Sequence, residues 1–110
     1  MTKRALTYCF DLDGTLVTDT KDKNGKMHYS SATPIPQAIN KLRKLHSEGH
    51  QIRIPTARGS GSGRDYEGLT RTQLAYFEIP YHSLNIGKKP SADFYIDDKA
   101  INVNDWLKDE

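Results

Sequence analysis

Acidic residues stand at two places in this 110-residue chain where their spacing suggests chemistry. Asp11 and Asp13 lie in the stretch Cys9-Phe10-Asp11-Leu12-Asp13-Gly14-Thr15-Leu16, and Asp97-Asp98 follow Tyr95-Ile96. With only fourteen acids in all, a second pair at the end of an apolar run argues against chance. Residues two apart on an extended chain point the same way. Asp11 and Asp13 are therefore expected to leave a strand end on one side, with Gly14 letting the backbone turn away beneath them. Side-by-side carboxylates repel unless a cation neutralises them, and Mg²⁺ suits such oxygen ligands. The plain alternative is a surface turn, since Asp and Gly are common turn residues. Two further groups stand at strand ends between the acid pairs: Thr56, closing Gln51-Ile52-Arg53-Ile54-Pro55-Thr56, and the lysines Lys88 and Lys89.

The elements that must position these groups follow from periodicity. Ala5 to Phe10 is an apolar run interrupted by Thr7, and reads as a buried first strand. From Val17 to Ser31 the chain is polar and lysine-rich, with Asn24-Gly25 at its middle. Asn-Gly is a strong two-residue turn signal and predicts a hairpin, with Leu16-Val17 entering and Met27-His28-Tyr29 returning, that overhangs the first acids. A solvated loop is the other reading. Ile35, Ala38, Ile39, Leu42 and Leu45 define one face of a helix over Pro34 to Gly49. Lys41, Arg43 and Lys44 fall off that face and read as solvated surface, and His46 and His50 as helix-end residues. Ile52 and Ile54 give a second strand, with Pro55 ending regular pairing. Gly59-Ser60-Gly61-Ser62-Gly63 lacks the Gly-Lys-Ser/Thr of a phosphate-binding P-loop and reads as a flexible link. A helix near Leu69 to Phe77 follows, with Leu69, Leu74, Tyr76 and Phe77 as its apolar contacts, ended by Ile79-Pro80. Tyr81 to Ile86 and Ala92 to Ile96 read as strands, with His82 a strand residue. A short packing helix runs from Ile101 through Trp106 and Leu107, with Asn102 or Asn104 as its cap. Helices alternating with strands predict an α/β fold with a mainly parallel sheet, whose sites lie at carboxyl strand ends.

Composition bounds the rest. The chain is expected to form a single domain over residues 1–110. Its hydrophobic fraction of 35% and charged fraction of 27% are ordinary for a soluble protein. A net charge of +2 is too small to argue for nucleic acid. One cysteine permits no internal disulfide and suits a reducing compartment. No apolar run approaches a membrane span, and the basic Met1-Thr2-Lys3-Arg4 precedes too short an apolar stretch for a signal peptide. A cytoplasmic protein without membrane partners is expected.

Taken in order, Asp11-Leu12-Asp13-Gly14-Thr15-Leu16, Thr56, Lys88 or Lys89, and Tyr95-Ile96-Asp97-Asp98 resemble the four motifs of the haloacid dehalogenase (HAD) superfamily of phosphotransferases. The likeness spans nearly the whole chain. Thr56-Ala57-Arg58-Gly59, the Gly-Lys-Lys-Pro segment at 87–90 and Ala92 to Ala100 further resemble small cap-less members found with capsule and sugar-nucleotide genes. The lysine directly precedes the proline in those, which favours Lys89 over Lys88. The resemblance implies a three-layer, Rossmann-like (HAD-like) sheet flanked by helices, with a small hairpin flap and no cap domain.

It also implies a Mg²⁺-dependent phosphomonoester hydrolase acting on a small sugar or polyol phosphate. Asp11 would be the nucleophile and Asp13 the general acid–base. Thr56 and Lys89 (or Lys88) would hold phosphoryl oxygens. Asp11, the Asp13 backbone carbonyl and Asp97 would bind the metal, with Asp98 ligating directly or through water. Arg58, with Arg64, Lys21, Lys23 and Lys26, reads either as a substrate contact or as solvated surface. An open site would be covered by a neighbouring subunit, by a large substrate, or by nothing. Three rivals remain: a phosphatase for nucleic-acid ends or phosphoproteins, a receiver-type phospho-acceptor domain, and a non-catalytic binding module. The modest charge and the lack of a basic, aromatic-studded groove count against nucleic acid. Motif order counts against a receiver domain, whose acceptor Asp follows its acid pair.

Overall fold

A computed structural model describes residues 4–59 and 65–108. The link at 60–64, including Arg64, lies outside the described residues. Four strands form one all-parallel sheet: β1 (Thr7–Phe10), β2 (Gln51–Thr56), β3 (Ser83–Ile86) and β4 (Phe94–Ile96), in the spatial order β3-β2-β1-β4. Parallel neighbours need a crossover. Helix α1 (Pro36–Ser47) supplies it between β1 and β2, and α2 (Glu67–Tyr76) between β2 and β3. The register pairs Tyr8 with Ile52 and Phe94, and Ile54 with Leu84. The chain is thus an α/β protein with a parallel sheet flanked by helices.

Side chains alternate along each strand, so each strand sends half of its residues to the helical face. From β2 these are Ile52, Ile54 and Thr56, all buried; Gln51, Arg53 and Pro55 face the other way. Ile39 and Leu42 of α1 and Leu74 of α2 meet Phe10, Ile52 and Ile54 in one core. That core also holds Leu12, Leu16 and Val17, so the segment carrying the first acids is anchored by its own apolar residues. Pro36 opens α1, where its missing N–H costs no helical bond. Gly49, at φ 92°, follows its end.

The second face of the sheet is crossed by the segment 87–93. Arg53 Nη1 donates to the Ser91 carbonyl (2.6 Å), and the Tyr95 hydroxyl donates to that of Pro90 (2.9 Å). Asp93 anchors the start of β4 by accepting the Thr7 N–H at its carboxylate (2.7 Å) and donating its own N–H to the Thr7 carbonyl (2.8 Å). His50 and His82 likewise accept the backbone N–H groups of Leu6 and Ile52 at Nδ1.

Several expectations need correction. Pro55 does not end β2: it pairs with Asn85, and Thr56 pairs with Ile86. Pairing with β1 stops at Cys9 and Arg53, so the missing N–H of Pro55 falls beyond the β1 ladder. The hairpin is smaller than expected. Its return pairs Lys21 with Met27, whereas Val17 pairs with Pro34. Its turn runs from Asp22 to Gly25, and Gly25 alone takes positive φ (82°). The Asp22 carboxylate accepts the N–H groups of Asn24 and Lys26, which moves the turn one residue back from Asn24-Gly25. Arg43 is not idle surface: it donates to the Phe77 and Glu78 carbonyls (2.8 and 2.9 Å) and so caps the end of α2. Tyr76 contributes little to packing, being 82% exposed.

The tail does form a helix, α3 (Val103–Lys108), with Asn102 Oδ1 accepting the Asn104 N–H. It does not pack, however: Val103, Trp106 and Leu107 are all more than half exposed. Among the described residues no helix is long and apolar enough to cross a membrane.

Candidate active site

The loop after β1 is wound around one carbonyl. The Leu12 carbonyl accepts the N–H groups of Thr15, Leu16 and Val17, and Gly14 N–H donates to Val17 (2.7 Å). Leu12, Leu16 and Val17 are buried, which pins the loop from below and leaves Asp11 and Asp13 at its rim. Gly14 adopts φ 91°, where a side chain is strained. It also has no room for one: an added Cβ would collide with Oδ2 of Asp98. The glycine therefore lets the second acid pair approach the first.

That approach follows from the sheet order. β4 lies next to β1, and Asp11 N–H donates to the Ile96 carbonyl (2.9 Å). Asp11, Asp97 and Asp98 each bring a carboxylate oxygen within 4.8 Å of the others. Asp97 also accepts the Lys99 N–H (2.7 Å), which shapes the turn after β4. Across the cleft, Thr56 ends β2 and is buried. A cavity of about 300 Å³ joins Asp11, Thr56, Lys88, Lys89 and Asp97, with Cys9, Pro55 and Tyr95 in its walls. Both lysines line it, and Lys89 Nζ lies 4.6 Å from the centre of the Tyr95 ring.

The electrostatics separate Asp11 from its neighbours. Burial raises the Asp11 carboxyl to about 6. The Leu12 backbone N–H opposes the rise, while the carboxylates of Asp97, Asp98 and Asp13 add to it. A half-buried acid among three others is a poor host for a fourth negative charge and a good host for a divalent cation. Three converging carboxylate oxygens are hard donors of the kind Mg²⁺ takes, so these residues fit such an ion.

Asp13 goes elsewhere, and here the expectation for Arg58 fails. Arg58 is neither solvated surface nor exposed to a substrate: its side chain is 0% exposed, against 18% for Asp13. Arg58 Nε donates to Asp13 Oδ2 (3.0 Å) and Nη2 to Oδ1 (2.8 Å), a two-point grip on the carboxylate. Arg58 Nη1 donates to Gln73 Oε1 (2.6 Å) and to the Thr70 hydroxyl (3.3 Å), and the guanidinium lies 4.7 Å from the centre of the Tyr29 ring. Gln73 Nε2 in turn donates to the Tyr29 carbonyl (2.7 Å). The strand rule places Asp11 and Asp13 on one side, but β1 ends at Phe10, and beyond it the two carboxylates find different partners. Gln73, Thr70 and Tyr29 were not legible as site residues. Their only sequence signal is polarity on a helix and beside a flap.

No family model matches the sequence, and no curated protein matches it. Among solved structures, a structural-genomics target from Vibrio cholerae shares the fold, with a TM-score of 0.62 and 26% identity. The match covers 91% of this chain and 85% of that one.

Proposed function

We propose that this protein is a HAD-type phosphomonoester hydrolase that depends on Mg²⁺ and works through an aspartyl-phosphate on Asp11. The observation that carries the reading is the meeting, in one cleft, of Asp11, Thr56, two lysines and Asp97, with Asp98 alongside. Asp11, Asp97, the Asp13 backbone carbonyl and, directly or through water, Asp98 would hold the metal. When bound, Mg²⁺ supplies positive charge that offsets the repulsion between a carboxylate and a phosphate dianion.

In the first half-reaction a carboxylate oxygen of Asp11 attacks phosphorus and the bond from phosphorus to the ester oxygen breaks. Asp13 gives the departing oxygen its proton. In the second, water attacks the phosphorus of the aspartyl-phosphate, Asp13 takes the water proton, and Asp11 is regenerated as inorganic phosphate leaves. Thr56 and Lys89 hold the phosphoryl oxygens while charge spreads over them. Lys88 lines the same cavity and is the other candidate for the lysine's role.

Resemblance supports a small sugar or polyol phosphate as substrate, and the single cysteine supports a reducing, cytoplasmic location. A macromolecular substrate is the second reading, favoured by one observation: the described residues that line the cavity all come from strand ends and the loops that leave them. Phosphate release from a panel of sugar, polyol and nucleotide phosphates, with Mg²⁺ and with EDTA, tests the proposal. Metal-dependent release that vanishes in Asp11→Asn supports it. Metal-independent release, or release unaffected by that substitution, overturns it.

A further inference from the structure

Arg58 makes a costly arrangement. A guanidinium with no solvent exposure has lost its hydration, and burying an ion pair commonly stabilises a fold no better than apolar residues of the same volume. Its five N–H groups are nevertheless well used: two hold Asp13, and Nη1 reaches Gln73 and Thr70. The guanidinium carbon lies over the Tyr29 ring, and Gln73 joins Arg58 to the Tyr29 backbone. Tyr29 opens the short 3₁₀ turn Tyr29–Ser31, which ends the flap where it returns to α1. The network therefore runs from the flap base, through α2, to the carboxylate two residues after Asp11.

Resting on the phosphatase reading, we propose that Arg58 is the positioning residue for Asp13 and that Gln73 and Tyr29 hold Arg58 against the flap. A planar fork fixes the carboxylate in direction as well as in distance. Each Asp13 oxygen keeps a second lone pair beyond the one that Arg58 occupies. The carboxylate is thus aimed without being fully consumed. Gln73 works in both directions, accepting from Arg58 and donating to Tyr29, so displacement of the flap base reaches Arg58 through two hydrogen bonds and Asp13 through the grip of Arg58.

Arg58→Lys and Gln73→Met test this better than truncation. The first keeps a buried cation opposite Asp13 and loses the fork; the second keeps side-chain volume and loses both hydrogen bonds. Rates are measured on an alkyl phosphate and on p-nitrophenyl phosphate, whose leaving group needs little proton donation, with thermal melting as the check on folding. For the alkyl phosphate, Arg58→Lys should lower kcat/KM, which reports the steps up to the aspartyl-phosphate and not the hydrolysis common to both esters, about 10²-fold, the scale of a misplaced reacting group. Gln73→Met, which removes a support and not the grip, should lower it by about tenfold. Both losses should shrink on p-nitrophenyl phosphate.

A purely structural role would depress the two substrates equally, and that result would overturn the proposal. So would unchanged kcat/KM on the alkyl phosphate in a folded Arg58→Lys protein. Should the wild type hydrolyse neither ester with Mg²⁺, the phosphatase reading itself falls and takes the proposal with it. An active wild type with equal losses leaves that reading standing and removes the positioning role alone.

Discussion

The two acid pairs end neighbouring parallel strands, yet they live in different surroundings. Asp11 and Asp13 follow β1, an interior strand of the sheet, and both are half-buried; Asp97 and Asp98 follow β4, an edge strand, and both are exposed. Burial raises the Asp11 carboxyl, and a buried guanidinium grips Asp13. Asp97 is tied to its own turn, and Asp98 lies against Gly14. One residue type thus acquires four situations from strand position and neighbours alone. On the proposed phosphatase reading, the pair on the interior strand does the covalent and proton-transfer work, and the pair on the edge strand completes a cation site.

Substitution of Asp11 should have the largest effect. Asp11→Asn should abolish phosphate release while thermal melting still reports a folded protein; substantial residual turnover would remove the distinction between the pairs. Asp13→Asn should come next, with a loss of about 10²–10⁴ in kcat, the usual size of a lost general acid–base. A loss confined to KM would assign Asp13 to binding instead. The lysines divide the cleft: Lys89→Ala should cost more than Lys88→Ala in kcat/KM, and the reverse order would give the phosphate contact to Lys88.

Smaller effects sharpen the boundary between the pairs. In Gly14→Ala the new Cβ would displace the Asp98 carboxylate and occupy strained positive φ, at a cost of about 1–3 kcal/mol. Melting should fall accordingly, and more Mg²⁺ should be needed for half-maximal rate. An unchanged Mg²⁺ requirement would detach Asp98 from the cation site.

The smallest effect is on stability against pH. With metal removed, the folded Asp11 carboxyl titrates near 6, above the ordinary carboxylate value, so the folded state holds this proton more tightly than the unfolded chain does. The stabilising contribution is full below about pH 4 and disappears as pH rises through about 6. Melting in EDTA for wild type and Asp11→Asn should therefore converge at low pH and diverge as the pH rises, with wild type falling further. Parallel curves would contradict the raised carboxyl.

The sequence displays the strands and α1 clearly because their signals are local. Ile35, Ala38, Ile39, Leu42 and Leu45 declare a face over a single helix, and the apolar runs before Asp11, Thr56 and Asp97 declare strand ends. The acids, Thr56 and the lysines share a cleft because parallel strands bring their carboxyl ends together. What stayed hidden depends on side-chain partners far apart in the chain. Arg58 and Asp13 are separated by 45 residues, and nothing local distinguishes a buried arginine after a strand from a surface one. Arg43 was hidden for the same reason, since its carbonyl partners, Phe77 and Glu78, follow the end of the next helix. The Asp22 side chain captured the turn that Asn24-Gly25 advertises, a local competition that a dipeptide signal does not weigh. The tail has helical spacing and apolar residues, but spacing names a face without naming what covers it.

On the proposed reading, Asp11 alone among the clustered carboxylates carries the phosphoryl group. The most direct measurement is an acid quench during turnover with Mg²⁺, followed by borohydride reduction of any acyl phosphate and peptide mass spectrometry. Reduction is expected at Asp11 and at no other acid, and is expected to be lost in Asp11→Asn. Reduction at Asp97 or Asp98, or continued turnover with none at Asp11, would contradict it.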